Sequence, residues 1–239
     1  MNNKKNSESE NTILSDYYKA YEKRYKQVYE KNMMWSSSDF TPDVIKVINE
    51  FNISKNDKIL DLGCGEGRDA IYLLNKNYNV LAVDYSKTVI DKCNEITNNQ
   101  FKNSFRQFDL LVDNLNTKYD FIYSVAVMHM FLLEQHRNRY LQFIYKHLKE
   151  DGIALICVLG NGKDEYCSSI EDAFKNVKRK VLNNNSDVYI ATTSCKIVNW
   201  NNFEQELTNN NFVIIKKWLS NEIPEFKDSM CVVIKKEQE

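Results

Sequence analysis

Three aspartates and one glycine loop carry the chemistry this sequence can do. Asp61 lies near the end of the apolar run Lys58-Ile59-Leu60-Asp61-Leu62, which runs directly into Gly63-Cys64-Gly65-Glu66-Gly67-Arg68-Asp69. Three of the chain's six glycines sit there at alternate positions. Such positions are where backbone takes positive φ or comes close to a ligand. Asp84 ends a second apolar run, twenty-three residues after Asp61, and Asp109 follows Phe108 at the end of a third. Carboxylates on consecutive strand ends of an open α/β sheet face one crevice. The spacing is G-x-G-x-G rather than the dinucleotide G-x-G-x-x-G. A pyrophosphate wants a helix N-terminus free of nearby acids, and Asp61 and Glu66 lie beside and inside this loop. The pattern therefore suits a cationic or hydrogen-bond-donating ligand. Asp84 is placed to accept from a ribose diol. Asp109, between Phe108 and Leu110, can accept from an exocyclic amine while its neighbours pack on a base.

A second candidate is His129, between Met128 and Met130 just beyond a fourth apolar run. Its position at the expected cleft makes it the best general base; alternatively it orients the cleft or packs near the sheet edge. His136 and His147 fall in a helical stretch with Arg137 and Lys146 and read as surface residues.

The elements that must position these groups follow from periodicity. Strands are expected over 58–62, 79–84, 104–108, 119–127 and 153–159. Helices are expected over 42–51, 68–77, from Ser86 as N-cap to about 98, and over 134–148, stopped by Asp151-Gly152. Alternating strands and helices predict a parallel sheet with right-handed crossovers. The last third departs from that rhythm: a polar, partly helical segment over 161–187 with Ile170, Ala173, Phe174 and Val177 on one face, an extended stretch over 188–198, a helix over 200–210, and two strands over 212–219 and 230–235. With no helix between them, the last two should pair antiparallel. The fold class is thus α/β, Rossmann-like: a seven-stranded, mostly parallel sheet with an antiparallel C-terminal edge and helices on both faces. Residues 1–35 read as a disordered tail (1–11) and a tyrosine-rich helical cap beginning at Thr12, and residues 36–239 as the core domain. Ile13, Tyr17, Tyr21, Tyr25, Val28 and Tyr29 recur along one face of that cap.

Composition narrows the function classes. The 239 residues are 43% apolar with a formal net charge of −1. No run approaches the ~18 apolar residues of a spanning helix, and the polar first residues do not form a secretory signal. A cytoplasmic protein is expected, with no membrane partner. The charge balance makes nucleic acid an unlikely main partner. The six cysteines include no C-x-x-C pair and there are only three histidines, so reduced core thiols are expected and no metal site.

A ligand with a ribose, an amine-bearing base, a positive charge and no phosphate describes S-adenosylmethionine. The run Ile59-Leu60-Asp61-Leu62-Gly63-Cys64-Gly65-Glu66-Gly67-Arg68 resembles the first motif of class I S-adenosylmethionine-dependent methyltransferases. Val80-Leu81-Ala82-Val83-Asp84-Tyr85-Ser86 resembles their acidic second strand, and Phe108-Asp109 and Tyr119-Asp120-Phe121-Ile122-Tyr123-Ser124 their third and fourth. Gly67 to Ala70 and the cap look most like the small-molecule branch, of tellurite and thiopurine type. The resemblance implies S-adenosyl-L-methionine as cofactor, with Asp61, Gly63, Cys64 and Gly65 at its methionine end. Asp84 with Tyr85 would lie at the ribose, Asp109 and Leu110 at the adenine, and Val125 in the stretch lining the cleft beside the sulfonium. It implies methyl transfer to a small molecule, in a pocket walled by Tyr17, Tyr18, Tyr21, Trp35 and His129, with Lys196 and Trp200 in a segment that contributes in such enzymes. Alternatives are a protein or RNA acceptor, a non-catalytic S-adenosylmethionine-binding protein of the same fold, and, against the glycine spacing, a nicotinamide-dependent oxidoreductase. No Asn-Pro-Pro-Tyr, Asp-Pro-Pro-Tyr or Pro-Cys sequence of base-methylating enzymes follows the fourth strand.

Overall fold

The computed structural model describes residues 16–36, 39–180 and 187–238. The expected tail over 1–11 and the start of the cap helix at Thr12 and Ile13 lie outside them. A 3-10 turn, Tyr17–Lys19, leads into α1 (Ala20–Tyr29), followed by α2 (Pro42–Glu50), β1 (Lys58–Leu62), α3 (Arg68–Asn75), β2 (Asn79–Asp84), α4 (Lys87–Ile96), β3 (Phe105–Gln107), β4 (Tyr119–Val125), α5 (Glu134–His147) and β5 (Leu148–Leu159). Then come β6 (Tyr166–Cys167), β7 (Asn176–Lys180), β8 (Asp187–Ala191), β9 (Lys196–Ile197), α6 (Trp200–Asn209), β10 (Phe212–Ser220) and β11 (Ser229–Lys236).

The main sheet has seven strands in the order β10-β11-β5-β4-β1-β2-β3. Neighbours from β5 to β3 pair parallel. β11 runs antiparallel to both β5 and β10, as expected of the two closing strands. Strand order reverses between β1 and β4, the topological switch point outside whose carboxyl ends such sheets bind ligands. The inner strands β1, β2, β4 and β11 are mostly apolar because both faces are covered. Leu60, Leu62, Ile122 and Ile156 pack on one side with Tyr140 and Ile144 of α5 and Phe203 of α6. Ile59, Ala82, Phe121 and Leu155 pack on the other with Val47 of α2, Leu73 of α3 and Val89 of α4.

Local signals explain most boundaries. Pro42 sits in the first turn of α2, where its missing N–H costs nothing. The Ser86 hydroxyl caps α4 by accepting from Val89 N at 3.1 Å, and Asn199 caps α6 by accepting from Asn202 N at 2.9 Å.

Two expectations are corrected. Asp151-Gly152 is not a loop after α5, because β5 begins directly at Leu148, opposite Tyr119, and the register shifts before Phe121 pairs with Ile153. Gly152 is needed inside that irregularity: a Cβ there would come within 3.0 Å of the Asp120 and Tyr119 carbonyls. Among the described residues of the segment over 161–187 (161–180 and 187), the chain is extended more than helical, with a 3-10 turn at Ile170–Asp172. Alternation decides it: β7 and β8 form a hairpin whose Val188 and Ile190 bury against Val28 of α1, and a two-residue period is what a half-buried strand needs.

Candidate active site

The carboxyl ends of β1, β2, β3 and β4 open onto one cavity of about 470 Å³. Its floor is the glycine loop. Gly63, Gly65 and Gly67 take φ of 74°, 53° and 75°, conformations that side chains other than glycine adopt only at a cost. A Cβ at Gly63 would lie 2.4 Å from Val127 Cγ2, so the β1 loop and the β4 loop are fitted to each other. Ala126, just beyond β4, is itself left-handed at φ 58°. That turn sends Val127 onto Gly63 and brings His129 to the cavity wall.

The three aspartates converge as their strand-end positions require. Asp61 accepts from the Tyr123 hydroxyl at 2.9 Å, and burial, reinforced by Asp69, raises its pKa well above the ordinary carboxylate range. Asp84 accepts from Gly65 N at 3.0 Å and Ser86 N at 2.8 Å. Burial pushes its pKa up to about 6 against the opposing pull of those two N–H groups. Asp109 accepts from Leu111 N at 3.0 Å and from the Tyr18 hydroxyl at 2.8 Å. Each carboxylate is therefore held in place from behind.

A cap closes the far side. α1 and the segment to Ser36 lie across the loops after β1, β2 and β3, fastened to each by a carboxylate. Glu66 accepts from the Tyr29 hydroxyl (3.0 Å), Trp35 N (2.8 Å), Ser36 N (2.7 Å) and Ser36 Oγ (2.6 Å). Glu22 accepts from the Ser86 and Thr88 hydroxyls after β2. Tyr18 is bound to Asp109 after β3. The acid inside the glycine loop is thus bound to the cap, and it borders the cavity together with Asp61. The β7–β8 hairpin completes the roof. Arg24 of α1 donates from Nε and Nη2 to the Ala191 carbonyl at 3.0 and 2.8 Å, and from Nη2 to that of Thr192.

The sequence-derived candidates sort as follows. Asp61, Gly63, Cys64, Gly65, Asp84, Tyr85, Asp109, Leu110 and Val125 all border the cavity, as do Tyr18, Tyr21, Trp35 and His129. Tyr17 does not, which corrects its expected place in the pocket wall. It is fully buried, and its hydroxyl accepts from Leu132 N at 2.8 Å and meets His136 Nδ1 at 3.0 Å, so it anchors the start of the cap to the loop before α5. Lys196 and Trp200 are also not in the wall; the preceding Thr193, Ser194 and Cys195 are.

His129 is almost fully buried, and its Nδ1 has no hydrogen-bond partner among the described residues. Burial, together with the charges of Arg137 and Arg24, pushes its pKa down to about 3. Its imidazole is neutral at physiological pH and weakly basic. The loop carrying it is held by Arg137, which donates to the Met128 carbonyl at 3.0 Å and pairs in bidentate fashion with Glu206 at 2.8 and 2.6 Å. Arg137 is buried, and so is His147, a correction to the reading of that histidine as a surface residue. His147 Nε2 accepts from Leu115 N at 3.2 Å, tying α5 to the chain beyond Asp109; α5 lies under the sheet, so its polar residues must find internal partners.

Sequence reading missed Arg24, Tyr25, Arg179 and Phe226, which also line the cavity. Arg24 and Tyr25 sit on the cap-helix face already singled out or beside it. Arg179 and Phe226 come from the hairpin and from the β10–β11 connection, and only long-range packing brings them here. Arg24 stacks on Trp35 at 4.7 Å and Tyr21 at 5.4 Å, and burial lowers its pKa.

Known proteins fit this architecture. A family profile described as tellurite resistance protein TehB matches residues 25–189. A probable S-adenosyl-L-methionine-dependent methyltransferase TehB of Haemophilus influenzae is 31% identical over 122 residues, which cover 51% of this chain and 42% of that one. A phosphoethanolamine N-methyltransferase of Plasmodium falciparum is 27% identical over 170 residues, 69% of this chain and 59% of that one. The chain spans about half the length of the curated relatives it matches. Among solved structures, a S-adenosylmethionine-dependent methyltransferase from Clostridium acetobutylicum superposes with a TM-score of 0.64 at 18% identity, covering 90% of this chain and 96% of that one.

Proposed function

The chain belongs to the TehB tellurite-resistance family, and from that premise we propose that it is a S-adenosylmethionine-dependent methyltransferase acting on a small-molecule acceptor. One observation carries the reading: the glycine loop and the carboxylates Asp61, Asp84 and Asp109 border the same cavity as the aromatic, arginine-bearing chamber under the cap. The cavity's donors and acceptors fit the cofactor. Asp84 and Tyr85 would hold the ribose, Asp109 and Leu110 the adenine, and Asp61 with the backbone of Gly63, Cys64 and Gly65 the methionine end, beside Val125. When bound, S-adenosylmethionine supplies a methyl group on a sulfonium, already activated for displacement. The chain's task is then to orient the acceptor and exclude water. Residues 16–35 serve as a cap on the core domain that begins at residue 36. Small acceptors are favoured because α1 and the β7–β8 hairpin roof the chamber. Tyr18, Tyr21 and Trp35 would form its walls, and Arg24, for which no carboxylate partner is found among the described residues, would favour an anionic nucleophile. Such a nucleophile needs no strong base, in keeping with a neutral His129, whose Nδ1 would position the acceptor by a hydrogen bond. No helix among the described residues is long and apolar enough to cross a membrane, and free thiols suit a cytoplasmic setting.

The test is methyl transfer from labelled S-adenosylmethionine to a panel holding tellurite, selenite, a simple thiol, phosphoethanolamine and bulk RNA. Stoichiometric S-adenosylhomocysteine with one of the small acceptors is expected. Label in RNA alone would overturn the acceptor class, and tight cofactor binding with no transfer would point to a sensor. His129→Ala should raise KM for the acceptor by roughly tenfold, the worth of one hydrogen bond. It should leave the pH profile between about 5 and 8 unchanged, because a group titrating near 3 is neutral throughout that range. A wild-type inflection near 6.5 that the variant abolishes would restore His129 as a base.

A further inference from the structure

Cys64 and Cys93 meet beneath the glycine loop. Cys64 lies between Gly63 and Gly65, and Cys93 reaches up from α4. The Cys93 thiol donates to the Gly65 carbonyl at 3.3 Å, and the Cys64 thiol approaches the same carbonyl at 3.6 Å. The two sulfurs thus flank one carbonyl oxygen. Cys93 is packed tightly there: a Cβ on Gly67 would stand 2.9 Å from its sulfur. The two differ in access. Cys64 is half-buried and borders the cavity, whereas Cys93 is fully buried behind it. The other close pair, Cys157 and Cys231, faces across β5 and β11 inside the core, where both are buried and neither reaches the cavity. One pair therefore combines a partly exposed cysteine bordering the cavity, a second sulfur behind it, and a backbone flanked by glycines. The left-handed glycines on either side of Cys64 give that loop freedom other residues lack.

We propose that Cys64 and Cys93 form a reversible disulfide, with a hydroperoxide as oxidant, that withdraws the glycine loop from its ligand-binding geometry. Cys64, as thiolate, attacks one peroxide oxygen. The O–O bond breaks, a Cys64 sulfenic acid forms, and the released hydroxide leaves as water. The Cys93 sulfur then attacks the Cys64 sulfur; the S–O bond breaks, and the departing hydroxide takes the Cys93 proton and leaves as a second water. Two electrons pass from the sulfurs to the peroxide, and dithiothreitol reverses the change. The neighbouring Cys93 thiol and burial raise the Cys64 pKa, so the reaction should quicken as pH rises. Bonded sulfurs stand about 2 Å apart. Closing to that distance draws Cys64 toward α4 and strips the Gly65 carbonyl of both donors. The consequence for cofactor binding rests on the reading of this loop as the cofactor's seat.

The experiment treats the full chain with hydrogen peroxide, with and without S-adenosylhomocysteine, and alkylates the remaining thiols. Disulfides are mapped by peptide mass spectrometry, and S-adenosylhomocysteine affinity is measured by calorimetry before oxidation, after it, and after dithiothreitol. A Cys64–Cys93 cross-link is expected, slowed by bound ligand, with affinity down by roughly tenfold to a hundredfold, the range a displacement of about 1 Å produces, and restored on reduction. Reduced Cys93→Ser should bind like the wild type and form no cross-link through Cys64. Absence of the Cys64–Cys93 peptide from oxidised wild-type protein would overturn the proposal, as would a cross-linked protein of unchanged affinity. Failure of the reduced wild type to bind S-adenosylhomocysteine would instead overturn the cofactor reading, while the mapping would still decide the thiol pair.

Discussion

Replacing Asp84 with alanine should lower affinity for S-adenosylhomocysteine by roughly a hundredfold, the loss expected when two hydrogen bonds to a charged acceptor disappear. Part of the loss is indirect. Asp84 also holds the Gly65 and Ser86 amides, so its removal loosens the glycine loop and the start of α4 together. Asp84→Asn keeps the shape and removes the charge, and should fall between the two. The pH dependence gives an independent measure. The Asp84 carboxyl sits at about 6, and a ribose diol needs the ionised form as acceptor. Affinity should be flat above that pH and fall below it, by up to roughly tenfold per unit, until the carboxyl of the complex also titrates. Folding stability responds with the opposite sign. A carboxyl raised above its unfolded value of about 3.9 binds more protons folded than unfolded between that value and 6. Its contribution to stability therefore grows as pH falls through 6 and is lost as pH rises. Calorimetric titrations from pH 5 to 8 on wild type and Asp84→Asn would separate the two. An unchanged affinity in Asp84→Ala would remove this residue from the site.

Glu66→Ala should release the cap. Four donors from Tyr29, Trp35 and Ser36 converge on this one carboxylate, and truncation leaves the partly buried Trp35 and Ser36 amides unpaired at about 1–3 kcal/mol each. The cap is a local unit on the domain, so its opening falls well below global unfolding. Hydrogen exchange over 20–36 is therefore the sensitive readout and should accelerate by roughly ten- to a hundredfold. Glu66→Gln should recover less than half of the protection. Its amide nitrogen cannot accept, and Ser36 donates twice to one oxygen and Trp35 and Tyr29 to the other. Because the same residue lies between Gly65 and Gly67, cofactor affinity should weaken as well, by several-fold. Exchange in Glu66→Ala identical to the wild type would mean that Glu22 and Tyr18 hold the cap without it.

The family and fold were legible because their signals are local. A strand reads from a run of apolar residues, a helix start from Ser86 or Pro42, and a glycine corner from three glycines at alternate positions. Asp61, Asp84 and Asp109 could be placed from chain position alone, since parallel strands put their carboxyl ends on one side of the sheet. The segment over 161–187 was misjudged for the same reason. Ile170, Ala173, Phe174 and Val177 fit a helical face over two turns, and only the pairing of Val177 with Ile190 and Arg179 with Val188 makes its second half a strand.

The sequence by itself determined the alternation of strands and helices, the glycine corner and the sign of charge that corner tolerates, because each depends on residues within a few positions of one another. Tertiary structure alone decided that Glu66 fastens the cap, that Tyr17 anchors rather than lines, that His129 is neutral, and that Arg24, Arg179 and Phe226 share one chamber. Those facts depend on which oxygen meets which amide across up to a hundred or more residues of chain, and on how much water burial removes. Neither is encoded in spacing.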